Sequence, residues 1–458
     1  MNETRQLVDF SVRLRYEDLP ARVVERAKLC VLDIVGVALS GGQHVWGQAV
    51  AEFVKGSGGR AESAVWGKGW RTSAQYAALI NGTGAHGIEM DDRSATLSIH
   101  CGAAVVPAAI AAAEKAEAKG KDLIVAVVLG YEIAYRVSRA VLGLPKGHFY
   151  ASPIKTLPGV TVAASKLLGL DNSTMLNALG IAGSMGSGLQ EWEGGDPSGT
   201  MVKRFQGGGW PAHNGVMAAL LASKGLSGPG TILEGKHGLC RSFAIDIEPK
   251  MGELVKDLGE DFQIMQREIK PYAAWGGSHA SIDAVNELVK AYSVKSEQIE
   301  SIEIGGSSKM LKRHEEKRPQ SLMAAQYSLP FITALAFFQN LADPSAWNDQ
   351  TLNRPEVMAL AQKVNLRLDD ELQNIFESTN DYAGVKMTIR LKNGCEHKTQ
   401  IRYSRGTIEN PASAEDIHEK FKVMASHVFP AARVEKAARL IDQLEEMDNV
   451  ISLSKALT

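Results

Sequence analysis

The stretch Asn81-Gly-Thr-Gly-Ala-His86-Gly-Ile-Glu89-Met-Asp91-Asp92, followed by His100-Cys101-Gly102, gathers three carboxylates and two imidazoles within fifteen positions. A helix end running into a Gly-bounded loop can aim such groups into a cleft, where their neighbours tune them for proton transfer. The same residues also admit a structural reading, with Asp91 and Asp92 as loop charges or helix caps and His100 as a satisfied side chain. Their spacing matches neither H-E-x-x-H nor an EF-hand loop, so no metal is expected here.

A second cluster, Gly199-Thr200-Met201-Val202-Lys203-Arg204-Phe205-Gln206-Gly207-Gly208-Gly209, leads through His213 and Asn214 into an Ala-rich helix. Glycines let backbone approach a ligand, and a helix N-terminus behind a Lys-Arg pair favours anions. Lys203, Arg204 and Gln206 are therefore candidates for holding a carboxylate, with a flexible linker at 207–209 as the alternative. No G-x-x-x-x-G-K-[ST] is present, and Gly183 to Gly188 fits neither a dinucleotide fingerprint nor a nucleophile elbow.

A third cluster, Lys270-Pro271-Tyr272-Ala-Ala-Trp275-Gly-Gly-Ser278-His279, sits where the texture of the chain changes, and domain junctions favour ligand clefts. Lys270 there would neutralise a carboxylate or enolate and His279 would cap or donate; an interdomain turn is the plain alternative. A fourth stretch, Lys146 to Gly159, places His148, Tyr150 and Lys155 in what reads as a Gly/Pro-punctuated loop able to present acids or bases.

Something must position these groups, and 458 residues exceed what one core usually organises. The fold class read from the pattern is mainly α: a large all-helical domain over 1–266, a smaller α+β domain over 267–406, and C-terminal helices over 407–458 packing back on the first. Val23, Val24, Ala27, Val31, Ile34, Val35 and Ala38 keep helical spacing until Gly41 and Gly42 stop it. Further helices are expected near 73–86, 103–119, 122–142, 160–168, 173–184 and 215–224. Strands are expected at Ile299 to Ile304 and in a hairpin, where Val385 to Leu391 alternates and Asn393-Gly394 turns the chain into Cys395 to Tyr403.

Apolar residues make up 45 % and charged residues 22 %, with a formal net charge of -2, which leaves no basic footprint for nucleic acid or an anionic membrane. No run approaches the roughly 20 apolar residues of a membrane span. Four dispersed cysteines, without metal or disulfide spacing, and a charged N-terminus give the expectation of a cytoplasmic protein.

Taken in order, NGTGAHGIEMDD with HCGAAVVPAAIAAAE, PGVTVAASKLLGLDNSTMLNALGIAGSMGSGL, MVKRFQGGGWPAHNGVMAALLASKGLSGPGTILEGKHGL and IKPYAAWGGSHASIDA resemble the MmgE/PrpD family. The resemblance implies a homodimer, a cleft between domains, a small di- or tricarboxylate substrate, and no metal, iron-sulfur cluster or other cofactor. It matches the family's acidic loop to Glu89 and Asp91, its loop histidine to His100, and its two lysines to Lys203 and Lys270. The chain departs from the family where decarboxylating and dehydrating members commonly carry Asp (Glu89) and where a loop histidine is common (Tyr150). Trp275 and Phe331 stand where cis-aconitate decarboxylases have histidine and tyrosine. The implied chemistry is abstraction of a proton α to a carboxylate, by His100 or Tyr150 with Glu89 or Asp91 orienting and Lys155 as a further candidate. Lys203, Arg204 and Lys270 would hold charge. A hydro-lyase acting on 2-methylcitrate-like acids is the first expectation, an epimerase the second, and a non-catalytic carboxylate-binding protein the rival.

Overall fold

Pro20 fixes the backbone entering a long helix and the pair Gly41-Gly42 lets it end, and between them the chain coils without interruption. In this computed structural model, which describes residues 2–142, 149–194, 201–244, 248–312, 314–382 and 384–458, the first helices are α1 (Glu3–Arg13), α2 (Ala21–Gly41), α3 (Val45–Ser57), α4 (Ala74–Ala85), α5 (Gly102–Ala116), α6 (Gly120–Ala140), α7 (Ala151–Leu167) and α8 (Asn172–Gly183). The chain divides into two compact units: Met1–Glu191, Val202–Arg267 and Ser413–Thr458 form one, and Trp192–Met201 with Glu268–Ala412 the other.

In the first unit, α5 is buried from Gly102 to Glu114 and α6 along nearly its whole length, so these are central helices that need apolar residues on every face. The helix Ala414–Ser426 returns from the end of the sequence to pack on α2, where Phe421 lies against Gly36. A short antiparallel ribbon, β1 (Ser63–Val65) with β2 (Trp70–Thr72), interrupts the helical pattern. Asn81 of α4 holds that ribbon, accepting from Trp66 N at 3.0 Å and donating to Ala64 O at 2.9 Å. Asn81, at the head of the first sequence cluster, is thus structural.

Glu114, at the end of α5, accepts from Ala64 N at 2.7 Å and faces Arg71 at 3.3 Å. Burial pushes its carboxyl up to about 7 from the ordinary 4.5, against the pull of its hydrogen bonds and of Arg71. A carboxyl whose pKa is raised by folding binds its proton more tightly in the native state. Its contribution to stability is therefore full below about 4.5 and is lost as pH rises through about 7. Glu114→Gln removes that slope, so the variant's melting temperature relative to wild type is expected to be higher at pH 8 than at pH 5. A difference that stays constant over this range would contradict the assignment.

Two expectations need correction. Residues 151–159 are the first half of α7, not a loop, although the segment contains Pro153, Pro158 and Gly159. Pro153 lies in the first turn, where its missing N–H costs no helix bond, and only Pro158 deprives the interior of one. Likewise 207–209 is neither a linker nor a helix N-terminus: Val202–Arg204, the π-helical turn Phe205–Gly209 and the helix Trp210–Ala222 run on as one rod that contains His213 and Asn214.

The second unit is built on a four-stranded sheet in the order β4-β3-β5-β6. β3 (Ile299–Gly306) and β5 (Val385–Leu391) are antiparallel, as are β5 and β6 (Glu396–Ile401). The Asn393-Gly394 turn closes the expected hairpin, with Gly394 at φ +86°. β4 (Val364–Leu368) pairs in parallel with β3 and is absent from the expectations above, although its V-N-L-R-L run alternates as a strand does. Among the described residues no helix is long and apolar enough to cross a membrane.

Candidate active site

Gly82, Gly84 and Gly87 weaken the end of α4, and His86 caps it, its N–H on Gly82 O at 3.1 Å. Gly82 also allows a helix crossing: a Cβ there would lie 2.8 Å from Gly208 O, and one on Gly207 would collide with the His86 ring. The triple glycine thus brings two backbones together rather than a backbone to a ligand, and fixes His86 from behind.

Beyond His86 the chain turns through Glu89, a non-glycine residue at φ +59°. Met90 O accepts from Lys420 of the returning C-terminal helix at 2.6 Å, and Lys420 in turn faces Asp33 of α2 at 2.6 Å. Asp92 accepts the Gly102 N–H at 2.8 Å, anchoring the first turn of α5, and also the Tyr131 hydroxyl. Burial raises Asp92 to about 6, opposed by the Arg267 guanidinium and by the Tyr131 hydrogen bond. A two-residue bridge, Ser94 with Ile99, closes the loop tip and delivers His100, whose N–H donates to Ser152 Oγ of α7 at 2.8 Å. The segment from 86 to 102 is pinned by side chains of α6, α7 and the C-terminal helix.

Within that frame, Asp91 Oδ2 lies 2.7 Å from His86 Nδ1 and 3.0 Å from His100 Nδ1. His86 Nε2 meets the Tyr150 hydroxyl at 3.0 Å. Burial, with Lys203 adding to it and Asp91 opposing, holds His86 down at about 3, so the imidazole is neutral. Its Nδ1–H donates to the carboxylate, which leaves Nε2 as acceptor for the Tyr150 O–H. His86 and Asp91 are fully buried, whereas the His100 side chain is 20 % exposed and is the member a small molecule can touch. Tyr150 is set by its own N–H on Gly188 O at 2.9 Å, just before α7 begins.

Lys203 and Arg204, both buried, converge on a single oxygen, Oε1 of Glu89. The two cations singled out from the sequence as an anion site thus already share a carboxylate of the protein. Lys155 donates to Leu97 O at 3.0 Å, tying α7 to the loop tip. Gln206 Oε1 is buried without a hydrogen-bond partner among the described residues, a feature that a bound polar group would satisfy. Lys146 to His148 and Gly199 to Thr200 lie outside the described residues.

Lys270 and His279 belong to the second unit, where both are buried. His279 opens the helix His279–Tyr292, with Nε2 3.1 Å from Ala274 O and its ring edge-on to Tyr272. Trp275 stacks on His314 at 3.8 Å between ring centroids, and Phe331 is wholly buried.

The residue that sequence reasoning underweighted is His86. It stood in the first cluster, but nothing in the spacing says that a residue 64 positions later supplies its hydroxyl partner. For a metal, His86, Asp91 and His100 are the group to consider, their ligand atoms lying within 4.8 Å of one another. An ion there would take either the His86 nitrogen that now meets Asp91 or the one that meets Tyr150, replacing that hydrogen bond.

Comparison with known proteins identifies the family. Residues 5–251 match the MmgE/PrpD N-terminal domain and residues 272–446 the MmgE/PrpD C-terminal domain. The chain is 27 % identical to a cis-aconitate decarboxylase-like protein of Aspergillus oryzae, over 99 % of this chain and 96 % of that one. It is 27 % identical to a cis-aconitate decarboxylase of Aspergillus terreus (99 % and 95 % covered) and 25 % identical to that of Homo sapiens (97 % and 92 %). Two domain models in the right order, together spanning most of the sequence, establish that the chain belongs to the MmgE/PrpD family.

Proposed function

We propose that the protein is a cofactor-independent enzyme that removes the proton α to a carboxylate of a small di- or tricarboxylate, and that it acts as a hydro-lyase. The observation that carries this reading is one buried carboxylate oxygen, Asp91 Oδ2, facing two imidazoles, with the partly exposed His100 on one side and His86 leading to Tyr150 on the other. His100 takes the carbon-bound proton at Nε2 while Asp91 steadies the imidazolium through Nδ1. A neutral His86 with so low a pKa does not accept the Tyr150 proton, so Tyr150 stays a phenol and is the acid arm. Turning about its C–O bond, it protonates the β-hydroxyl. The Cβ–O bond breaks, water leaves, the double bond forms, and proton return from His100 to Tyr150 resets the site.

Two of the relatives named above are cis-aconitate decarboxylases, proteins named for acting on a tricarboxylate. Dehydration is favoured over decarboxylation because Trp275, held against His314, and Phe331, wholly buried, offer no acid or base at the positions that departed from the family pattern.

The test is proton NMR of chelator-treated protein in heavy water with 2-methylcitrate, citrate, cis-aconitate and iminodisuccinate. Loss of an α-proton signal with new vinyl resonances is the expected result. Deuterium incorporation without an olefin would make the same two arms an epimerase, new itaconate signals a decarboxylase, and silence on every acid would end the enzymatic reading. Activity that disappears with the chelator and returns with a divalent ion would place a metal on His86, Asp91 and His100.

A further inference from the structure

We infer that Glu89 sets substrate class: it is an internal carboxylate that fills the anion position beside Lys203 and Arg204, so the enzyme selects an acid with fewer ionised carboxylates than a tricarboxylate. This rests on the α-proton reading above and narrows it. Lys203 Nζ and Arg204 Nη1 both meet Glu89 Oε1, and all three side chains are 2 % exposed or less.

The charges near the proton-transfer groups decide how many anionic groups a ligand can bring. At the anion position Lys203 and Arg204 supply two positive charges and Glu89 removes one, so the pair retains one where an uncharged residue 89 would leave two. One substrate carboxylate balances what remains at this position. A second would leave an uncompensated negative charge among buried groups, which desolvation strongly disfavours.

The backbone points the same way. Glu89 holds a left-handed conformation that a residue with a side chain occupies at a cost, and such strain persists only where the surroundings fix it. Here those surroundings are the two cations and the Lys420 hydrogen bond to the next carbonyl. An aspartate, one methylene shorter, would not reach both cations from the same backbone position, so the glutamate that departs from the family pattern is also the side chain that uses up the pair.

Calorimetric titration with tricarballylate, a tricarboxylate lacking the β-hydroxyl, and with glutarate, a dicarboxylate, tests this on the full-length protein. Wild type is expected to bind glutarate more tightly than tricarballylate, and Glu89→Gln to tighten tricarballylate at least tenfold with a smaller effect on glutarate. Glu89→Asp, which keeps the charge but withdraws it, is the second variant should the first not fold, and is expected to shift tricarballylate in the same direction by a smaller factor. Tricarballylate bound by wild type as tightly as glutarate, or no tightening in a folded variant, overturns the assignment. The two readings fail separately: no deuterium exchange on any acid in wild type refutes the proton-abstraction reading, whereas exchange without the change in selectivity refutes only the role of Glu89.

Discussion

Asp91→Asn is expected to lower turnover by roughly 10^3- to 10^4-fold, the scale seen when the carboxylate behind a catalytic histidine becomes an amide. The volume is unchanged, but the amide has no charge to set against the two imidazoles that face the carboxylate oxygen, and it offers an NH2 in place of one oxygen. If its NH2 faces His86, that ring must turn its proton to Nε2, toward Tyr150, and the hydrogen bond that now fixes the phenol is lost. If it faces His100, the base presents the wrong tautomer to the substrate and its imidazolium has no counter-charge. Steady-state rates on whichever acid exchanges deuterium, read beside the far-UV spectrum and melting temperature, separate chemistry from folding. A folded variant within tenfold of wild type would remove Asp91 from the mechanism.

Gly208→Ala is expected to destabilise the protein by about 3 kcal/mol, at the upper end of ordinary overpacking. A methyl at that position would collide with the carbonyl oxygen of Gly82 and lie 3.0 Å from His86 Cβ, and the first of these neighbours is backbone that cannot rotate aside. Since α4 carries His86 at its end, activity should fall with stability. Gly56 in α3 is the contrast, because a Cβ there meets nothing within 4 Å. Gly56→Ala is expected to stabilise by about 0.5–1 kcal/mol through helix propensity alone. Chemical denaturation of both variants decides the matter, and equal midpoints for the two would refute the crossing as described.

Periodicity and turn chemistry made much of the fold legible. α2 with its glycine stop, and the β5–β6 hairpin around Asn393-Gly394, stand where the residues put them, because both are fixed by local spacing and local backbone preference. β4 was passed over although its own five residues alternate, and the start of α7 because prolines in a helix mimic a loop. The site was legible as an inventory and not as a wiring diagram. Glu89, Asp91, His100, Tyr150, Lys203 and Arg204 could be named as candidates, whereas His86 stood in the first stretch without a role. That Glu89 would face both cations, and Tyr150 a neutral imidazole, depends on which helices cross, and those crossings are set by glycines whose role only packing reveals.

The clamp on Met90 also bears on how the protein is born. Its donor, Lys420, comes 330 residues later, and ribosomes extend a chain by about 5–20 residues per second, so the loop carrying Glu89 and Asp91 exists for on the order of tens of seconds before the ammonium that holds it has been made. During that interval α2, α4 and α5 can collapse together, but Asp33 and the Met90 carbonyl still await the side chain that serves both. Completion of the loop carrying Glu89 and Asp91 is therefore a late event in synthesis, and a nascent chain long enough to contain every proposed acid and base still lacks the side chain that holds them.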